Sequence, residues 1–330
     1  MYDILTLAAA NLISPIIMFF ALGFAAALAR SDLSVPEAIA KGMSLYLLLA
    51  IGFKGGASVA AHGVDATLIM SLVAGVILSF ILPFVAFGLL RKLTGLSIID
   101  AAAVAAHYGS ISIVTFVAAS SVLSSAGIVA EGYMVAVAAA MEAPAILSAL
   151  WLVARTSGSQ GQKGGRMDPG LLREILLNGS IVLLIGSFAI GATTGQEGLT
   201  KIEAFIVAPF QGVLCLFLLD MGLVAGRGLR QARGLLGPGV LAFGILMPLI
   251  GASLGSAAGL LLGLSTGGVV LMMTLSASAS YIAVPAAMRV ALPEANPAIY
   301  LTLALGITFP FNLTLGIPIY MAVAQAVTGG

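Results

Sequence analysis

His107-Tyr-Gly-Ser-Ile-Ser-Ile-Val-Thr115 and Leu275-Ser-Ala-Ser-Ala-Ser-Tyr281 set glycine, hydroxyls and poor helix formers in the middle of two long apolar stretches. Within hydrocarbon every backbone N–H and C=O must find a partner, so an interrupted helix is tolerated only where protein or a watery cavity covers it. Both segments are therefore expected to be broken helices that meet inside a bundle. Each break exposes a half-helix N-terminus with unpaired N–H groups and about half a positive charge. Two such ends facing one another suit a small anion, whereas the bland alternative is that the small residues only let helices approach closely.

Composition sets the solvent. Of 330 residues, 60% are hydrophobic and 8% charged, with a mean hydropathy of +1.15. A soluble domain carries about a quarter charged residues, so the bilayer is the medium. A formal charge of +1 from 14 Lys+Arg and 13 Asp+Glu leaves no basic surplus for nucleic acid. One cysteine, Cys215, and two histidines, His62 and His107, exclude an internal disulfide and most zinc sites. Met1-Tyr2-Asp3 lacks the basic start of a cleaved signal peptide, so the first apolar stretch is expected to remain as a span.

A span takes about 20 apolar residues. Ten are expected, near 12–29, 36–53, 66–90, 99–122, 132–154, 174–194, 202–224, 235–261, 267–289 and 298–324, with breaks in the fourth and ninth. With the N-terminus outside, the inward loops hold Arg30, Lys41, Arg91, Lys92, Arg155, Lys163, Arg166, Arg173, Arg227, Arg230, Arg233 and Arg289, and only Lys54 and Lys201 lie outside. That asymmetry is the pattern expected of short loops in an inner (plasma) membrane, and it puts both termini on the extracytoplasmic side.

The Ser-Gly-Gln-rich stretch at 156–165 opens a cytoplasmic linker, 156–173, between residues 1–155 and 174–330. The two halves superimpose in sequence at an offset of about 164 to 170 residues. Gly52-Phe-Lys-Gly-Gly56 falls on Gly222-Leu-Val-Ala-Gly226, Ser110-Ile-Ser112 on Ser278-Ala-Ser280, Ala118-Ala119 on Ala286-Ala287, and Met141-Glu-Ala-Pro144 on Ile307-Thr-Phe-Pro310. Five spans per half is odd, so the second copy enters the membrane from the opposite side. The expected fold is an all-α polytopic membrane protein of two inverted five-helix repeats, a build in which secondary transporters hold substrate near the midplane.

Acidic side chains inside spans mark ion paths or paired structural sites. Glu142 stands beside Pro144, whose missing N–H loosens the helix ladder and frees a carbonyl. The matching region Thr308-Phe-Pro-Phe-Asn-Leu-Thr314 adds hydroxyls and an amide oxygen, donors suited to a hard cation such as sodium. Asp220 is either an ion-path residue or a partner of Arg227, and Asp100 fits a helix N-terminus for structural reasons alone. His107 near Ser110 raises an intramembrane serine hydrolase, but no Gly-x-Ser-x-Gly elbow accompanies it and no further histidine lies in a separate span, so a structural role is expected. No phosphate loop is present, and transport would draw on an ion gradient.

The strings Val35-Pro-Glu-Ala-Ile39, Gly52-Phe-Lys-Gly-Gly56, His107-Tyr-Gly-Ser-Ile-Ser112, Met141-Glu-Ala-Pro144, Ser278-Ala-Ser-Tyr-Ile-Ala-Val-Pro-Ala-Ala-Met-Arg289 and Ala295-Asn-Pro-Ala-Ile-Tyr300 resemble the sodium-dependent bicarbonate transporter superfamily over nearly the whole chain. The resemblance implies a gate domain from spans 1, 2, 6 and 7, a core domain from spans 3–5 and 8–10, sodium symport of bicarbonate, and a trimer. It also implies a possible PII-like regulatory partner, although the linker is shorter than in cyanobacterial members. Two departures stand out. Ser112-Ile-Val-Thr115 keeps only the outer hydroxyls of the family's Ser-Gly-Ser-Thr, and Ser278-Ala-Ser-Tyr281 has a neutral tyrosine where the family carries aspartate.

The expected substrate site is Gly109, Ser110, Ser112, Thr115, Ser278, Ser280 and Tyr281, with Glu142, Thr308, Asn312 and Ser276 for sodium. No organic cofactor and no enzymatic activity are expected. The alternatives are a transporter of another small organic anion on the same fold, or a membrane anion sensor.

Overall fold

The computed structural model of the chain describes residues 13–63, 65–142, 144–156, 179–231, 237–281, 284, 285, 288 and 292–329. The linker expected at 156–173 lies almost wholly outside the described residues. Among those residues the chain is helix and turn, with no strand. The helices are α1 (Pro15–Leu28), α2 (Glu37–His62), α3 (Ala66–Leu93), α4 (Ile98–Gly109), α5 (Ile113–Ser125), α6 (Met134–Ala140), α7 (Pro144–Thr156), α8 (Gly179–Ile206), α9 (Phe210–Gln231), α10 (Pro238–Leu261), α11 (Thr266–Ala277) and α12 (Pro297–Thr328). Among the described residues six segments are long and apolar enough to cross a bilayer: Glu37–Ala61, Ala66–Leu93, Ile98–Ser125, Phe210–Arg230, Pro238–Leu261 and Pro297–Thr328. Shorter apolar helices stand at the first, fifth and ninth expected spans.

Position in the bundle follows from which helices are buried all round. Residues 101–119, from α4 through the break into α5, are all buried, whereas α3 turns Ile69, Val73 and Ile77 outward, as a lipid-facing helix does. Glycines set the closest approaches. A Cβ at Gly56 of α2 would stand 1.9 Å from the Phe188 carbonyl oxygen of α8, and one at Gly222 of α9 would stand 2.2 Å from the Phe20 oxygen of α1. Thus α2 packs along α8 and α1 along α9, each through backbone contact, and the aligned glycine strings of the two halves serve these two seams.

Capping residues hold the two central half-helices. Ser97 caps α4, accepting from Asp100 N–H at 3.0 Å, and Ser265 caps α11, accepting from Gly268 N–H at 3.1 Å. Asp100 in turn accepts from Ser97 Oγ at 2.7 Å and from Asn296 N–H at 2.8 Å, tying the start of α4 to the start of α12, which is the structural role expected of it. At α11 the same tie is made by Glu131, whose Oε1 and Oε2 accept from Ser265 N–H (2.6 Å) and Oγ (3.0 Å).

Several expected boundaries move. The second span was placed at 36–53 with Lys54 in an outward loop, but α2 continues to His62: Gly52, Gly55 and Gly56 are needed for close packing, so the helix carries Lys54 through. The seventh span begins at Phe210 instead of 202. Gly195 (φ 58°, ψ −151°), in backbone space open to glycine, turns α8, and the following piece carries Glu197, Lys201 and Glu203 before a turn at 207–209. Hydropathy alone had merged the apolar residues 204–210 into the next span. The fifth span also breaks, at Met141-Glu142, where Ser79 Oγ donates to the Met141 carbonyl at 2.6 Å.

Candidate functional site

The breaks fall at Ser110-Ile111-Ser112 and from Ser278 onward, and they cross. Both α4 and α11 run 12 residues from a serine cap to a serine in extended conformation, Ser110 (φ −89°, ψ 153°) and Ser278 (φ −83°, ψ 162°). A helix that stops here leaves carbonyls at its end and N–H groups at the start of the next piece unpaired. The crossing supplies partners for some: Ser280 N–H donates to the His107 carbonyl at 2.7 Å, and Ser112 N–H donates to Ser278 Oγ at 2.9 Å. Ser112 then caps α5, accepting from Thr115 N–H (3.2 Å) and Thr115 Oγ1 (2.9 Å). Ser280 Oγ accepts from Val284 N–H at 3.5 Å.

A small cavity of about 10 Å³ lies at this crossing, lined by Ile111, Ser112, Ile113, Glu142, Ser280 and Tyr281. That is room for one water or one small ion. Glu142 is 7% exposed, and its Oε2 has no hydrogen-bond partner. The break between α6 and α7 brings the carboxylate here, so a third interrupted helix contributes to the site. Two serine hydroxyls and an unpaired carboxylate oxygen are hard oxygen donors of the kind sodium takes. The start of α5 at Ser112 adds positive potential in the same place.

The expected residues divide. Ser112, Ser280, Tyr281 and Glu142 share the cavity wall, with Ser278 and Thr115 bracing Ser112. Tyr281 stacks edge-on against Phe309 with centroids 5.2 Å apart, and its hydroxyl makes no hydrogen bond. Gly109 is a packing residue, since a Cβ there would meet the Pro83 ring at 2.3 Å. Ser110 Oγ and Ser276 Oγ are buried without partners but do not line the cavity.

Glu142 is not joined by Thr308 and Asn312 as expected. Thr308 Oγ1 donates to the Gly244 carbonyl (2.7 Å) and meets Tyr108 Oη at 2.5 Å. Asn312 Nδ2 donates to the Ala277 carbonyl (3.0 Å), and its Oδ1 accepts from Tyr320 Oη (2.7 Å). Both side chains thus pin α12 to neighbouring helices, and Asn312 satisfies the last carbonyl of α11. Replacing Asn312 by Leu would orphan that carbonyl, and unfolding should show a loss of about 1–3 kcal/mol with the sodium half-saturation unchanged.

His107 has the structural role expected. Its Nδ1 lies 2.6 Å from the Ala103 carbonyl, its ring stacks on Tyr300 with centroids 4.5 Å apart, and neither Nε2 nor Ser110 Oγ has a partner, so no Ser–His relay exists. Asp220 is buried in α9. Arg227, its candidate partner, instead donates to the Leu33 carbonyl at 2.6 Å, and among the described residues the two form no ion pair.

Two larger cavities lie elsewhere in the bundle. One of about 480 Å³ lies between α2, α5, α6 and the start of α9, and reaches Phe116 and Val117, one turn beyond Ser112. The other, of about 310 Å³, lies between α9 and α12 at the opposite end and holds Arg227. No signal in the hydropathy pattern pointed to either, because each is made by residues distant in sequence.

A family model described as the Na+-dependent bicarbonate transporter superfamily matches residues 15–325. No curated protein matches the chain. With nearly its whole length covered, this multi-pass helical chain belongs to the Na+-dependent bicarbonate transporter superfamily, a family of membrane transporters and not of enzymes.

Proposed function

We propose that the protein is a sodium-coupled symporter of bicarbonate or a similarly small anion, working by alternating access. The observation that carries this reading is the crossing of two interrupted helices over a cavity that also holds the unpaired Glu142 carboxylate oxygen. The anion would sit against the half-helix ends at Ser112 and Ser280, and sodium beside Glu142, each offsetting the other's charge in a site removed from water. At about 10 Å³ the cavity is too small for bicarbonate, so loading requires the helices around the crossing to part.

The architecture proposed is ten spans in two inverted repeats, 1–155 and 174–330, with α1, α2, α8 and α9 as a gate and the remaining helices as a core. In support, α4 and α11 have equal lengths and matching serine caps 168 residues apart, as 265 minus 97 gives. Pro83 inside α3 and Pro248 inside α10 are likewise paired. The extensive packing of α1 on α9 and α2 on α8 joins the first half to the second, as a gate built from both copies requires. The two larger cavities are lined by opposite ends of α9, as two entrances of an alternating-access path would be.

Ser112→Ala and Ser280→Ala test the anion site. Ser112→Ala removes the cap of α5, costing about 1 kcal/mol of stability, and Ser280→Ala removes the acceptor of the Val284 N–H. Folded protein is expected from both, with bicarbonate uptake into proteoliposomes reduced at least about tenfold, on the scale of one hydrogen bond to a charged group. Wild-type uptake in both variants would remove the crossing from the transport path.

A further inference from the structure

The 480 Å³ cavity carries a cation that nothing in the proposed site uses. Helix α2 turns Gly52 and Gly56 toward α8, and thereby presents Ile51, Lys54 and Gly55 to the cavity. Gly55 fits against Val135, where a Cβ would come within 2.9 Å, so this stretch of α2 is wedged between α8 and α6 and the register of Lys54 is set. The Lys54 ammonium rests 4.9 Å from the Phe210 ring centroid. Glu131 is the carboxylate in the lining, and both its oxygens are taken by Ser265. Among the described residues Lys54 has no carboxylate within 4.0 Å.

An ammonium with no carboxylate in ion-pair contact, in a cavity walled largely by apolar residues, raises the local concentration of anions around itself, with the Glu131 charge elsewhere in the lining. The remaining polar groups suit a small one. Ser120 donates to the Phe116 carbonyl at 2.9 Å, and Ser121 Oγ accepts from Gln211 Nε2 at 2.6 Å, which leaves the Ser121 proton to donate. A single ammonium beside serine hydroxyls, with one carboxylate elsewhere in the lining, suits a monovalent oxyanion better than a divalent one. Phe116 and Val117 join the cavity floor to the helix that Ser112 caps.

We infer that this cavity is an anion-loading site, in which Lys54 holds a small monovalent oxyanion before it reaches the crossing of the broken helices. The inference rests on the transport reading for its cargo alone; the cavity's preference for anions is measurable with no cargo transported.

The test uses the full chain with its single cysteine, the buried Cys215, replaced by Ala, and Ser120→Cys introduced as a reporter. The probes are a sulfonate-bearing methanethiosulfonate and neutral methyl methanethiosulfonate, and the readout is the ratio of their rates. With Lys54 present the ratio favours the anionic reagent, and adding Lys54→Gln lowers it about five- to tenfold, the scale of one charge acting across a partly hydrated cavity. Lys54→Arg keeps it. In protein retaining Lys54, raising salt from about 0.05 to 0.5 M shrinks the ratio in the same direction, which requires no folded Lys54 variant. A ratio indifferent to Lys54→Gln and to salt, or no labelling by either reagent, would overturn the inference. Where bicarbonate uptake is also measured, Lys54→Gln raises KM and leaves kcat nearly unchanged. An anion preference without bicarbonate uptake would contradict the cargo assignment and uphold the loading site.

Discussion

Replacing Glu142 by Gln is expected to abolish sodium-driven uptake while leaving a folded protein. The side chain is isosteric, the residue lies in the turn between two helices, and its Oε2 donates to nothing and accepts from nothing, so the amide fits the same space. What disappears is the charge. A cation held in a buried site by one carboxylate loses about 3 kcal/mol or more when that partner is neutralised, about a hundredfold in occupancy. Uptake at fixed sodium should fall by about that factor, and the sodium half-saturation should rise out of the measurable range. Glu142→Asp keeps the charge on a shorter arm and should retain sodium dependence with a higher half-saturation. A Glu142→Gln protein with the wild-type sodium response would take this carboxylate out of the ion path. The neutral Tyr281 makes the effect larger, because no acidic residue stands at that position to take over.

Gly56→Val is expected to prevent assembly of the helix pair α2 and α8. The new Cβ would stand 1.9 Å from the Phe188 oxygen and 2.6 Å from the Ala192 nitrogen, both backbone atoms that no rotamer change can move. Overpacking a core costs about 1–3 kcal/mol where side chains can adjust, and more where they cannot. The Cβ at Gly191, 2.1 Å from the Phe53 oxygen, would wedge the same seam from the other helix, so Gly191→Val should fail in the same way. Neither variant should give a monodisperse peak after detergent extraction. Gly88→Ala, at a lipid-facing position with nothing within 4 Å, is the control and should behave as wild type.

The paired breaks were legible because two hydroxyl-rich, glycine- or alanine-rich strings interrupt otherwise apolar spans, and membranes tolerate this only where protein covers the backbone. Their limits were less legible. Leu275, Ser276 and Ala277 remain helical, as do His107 and Tyr108, because the helix ends where the crossing chain provides substitute partners, and those partners are 166 or more residues away. The hydrogen-bond partners of Thr308 and Asn312 are not legible in the sequence for the same reason. Their composition suits a cation, but Tyr108, Gly244, Ala277 and Tyr320 engage them, and no local pattern announces contacts between distant helices. Lys54 was placed in a loop because a lysine flanked by glycines looks like a helix end. In the folded chain those glycines are what allow α2 to lie against α8 and α6, and the lysine lines a cavity that exists only once α5 and α9 are in place.

Glu142 stands out in the sequence by its charge within an apolar span, and in the structure it lines one small cavity with Ser112 and Ser280. The reading that joins them is coupled movement of an anion and a sodium ion through one site. The most direct test is uptake of labelled bicarbonate into proteoliposomes holding the purified protein, with an inward sodium gradient and an equal potassium gradient as the control. Uptake above background with sodium and none with potassium is the predicted result. Equal uptake under both gradients, or none from a folded and reconstituted preparation, would contradict sodium-coupled bicarbonate symport.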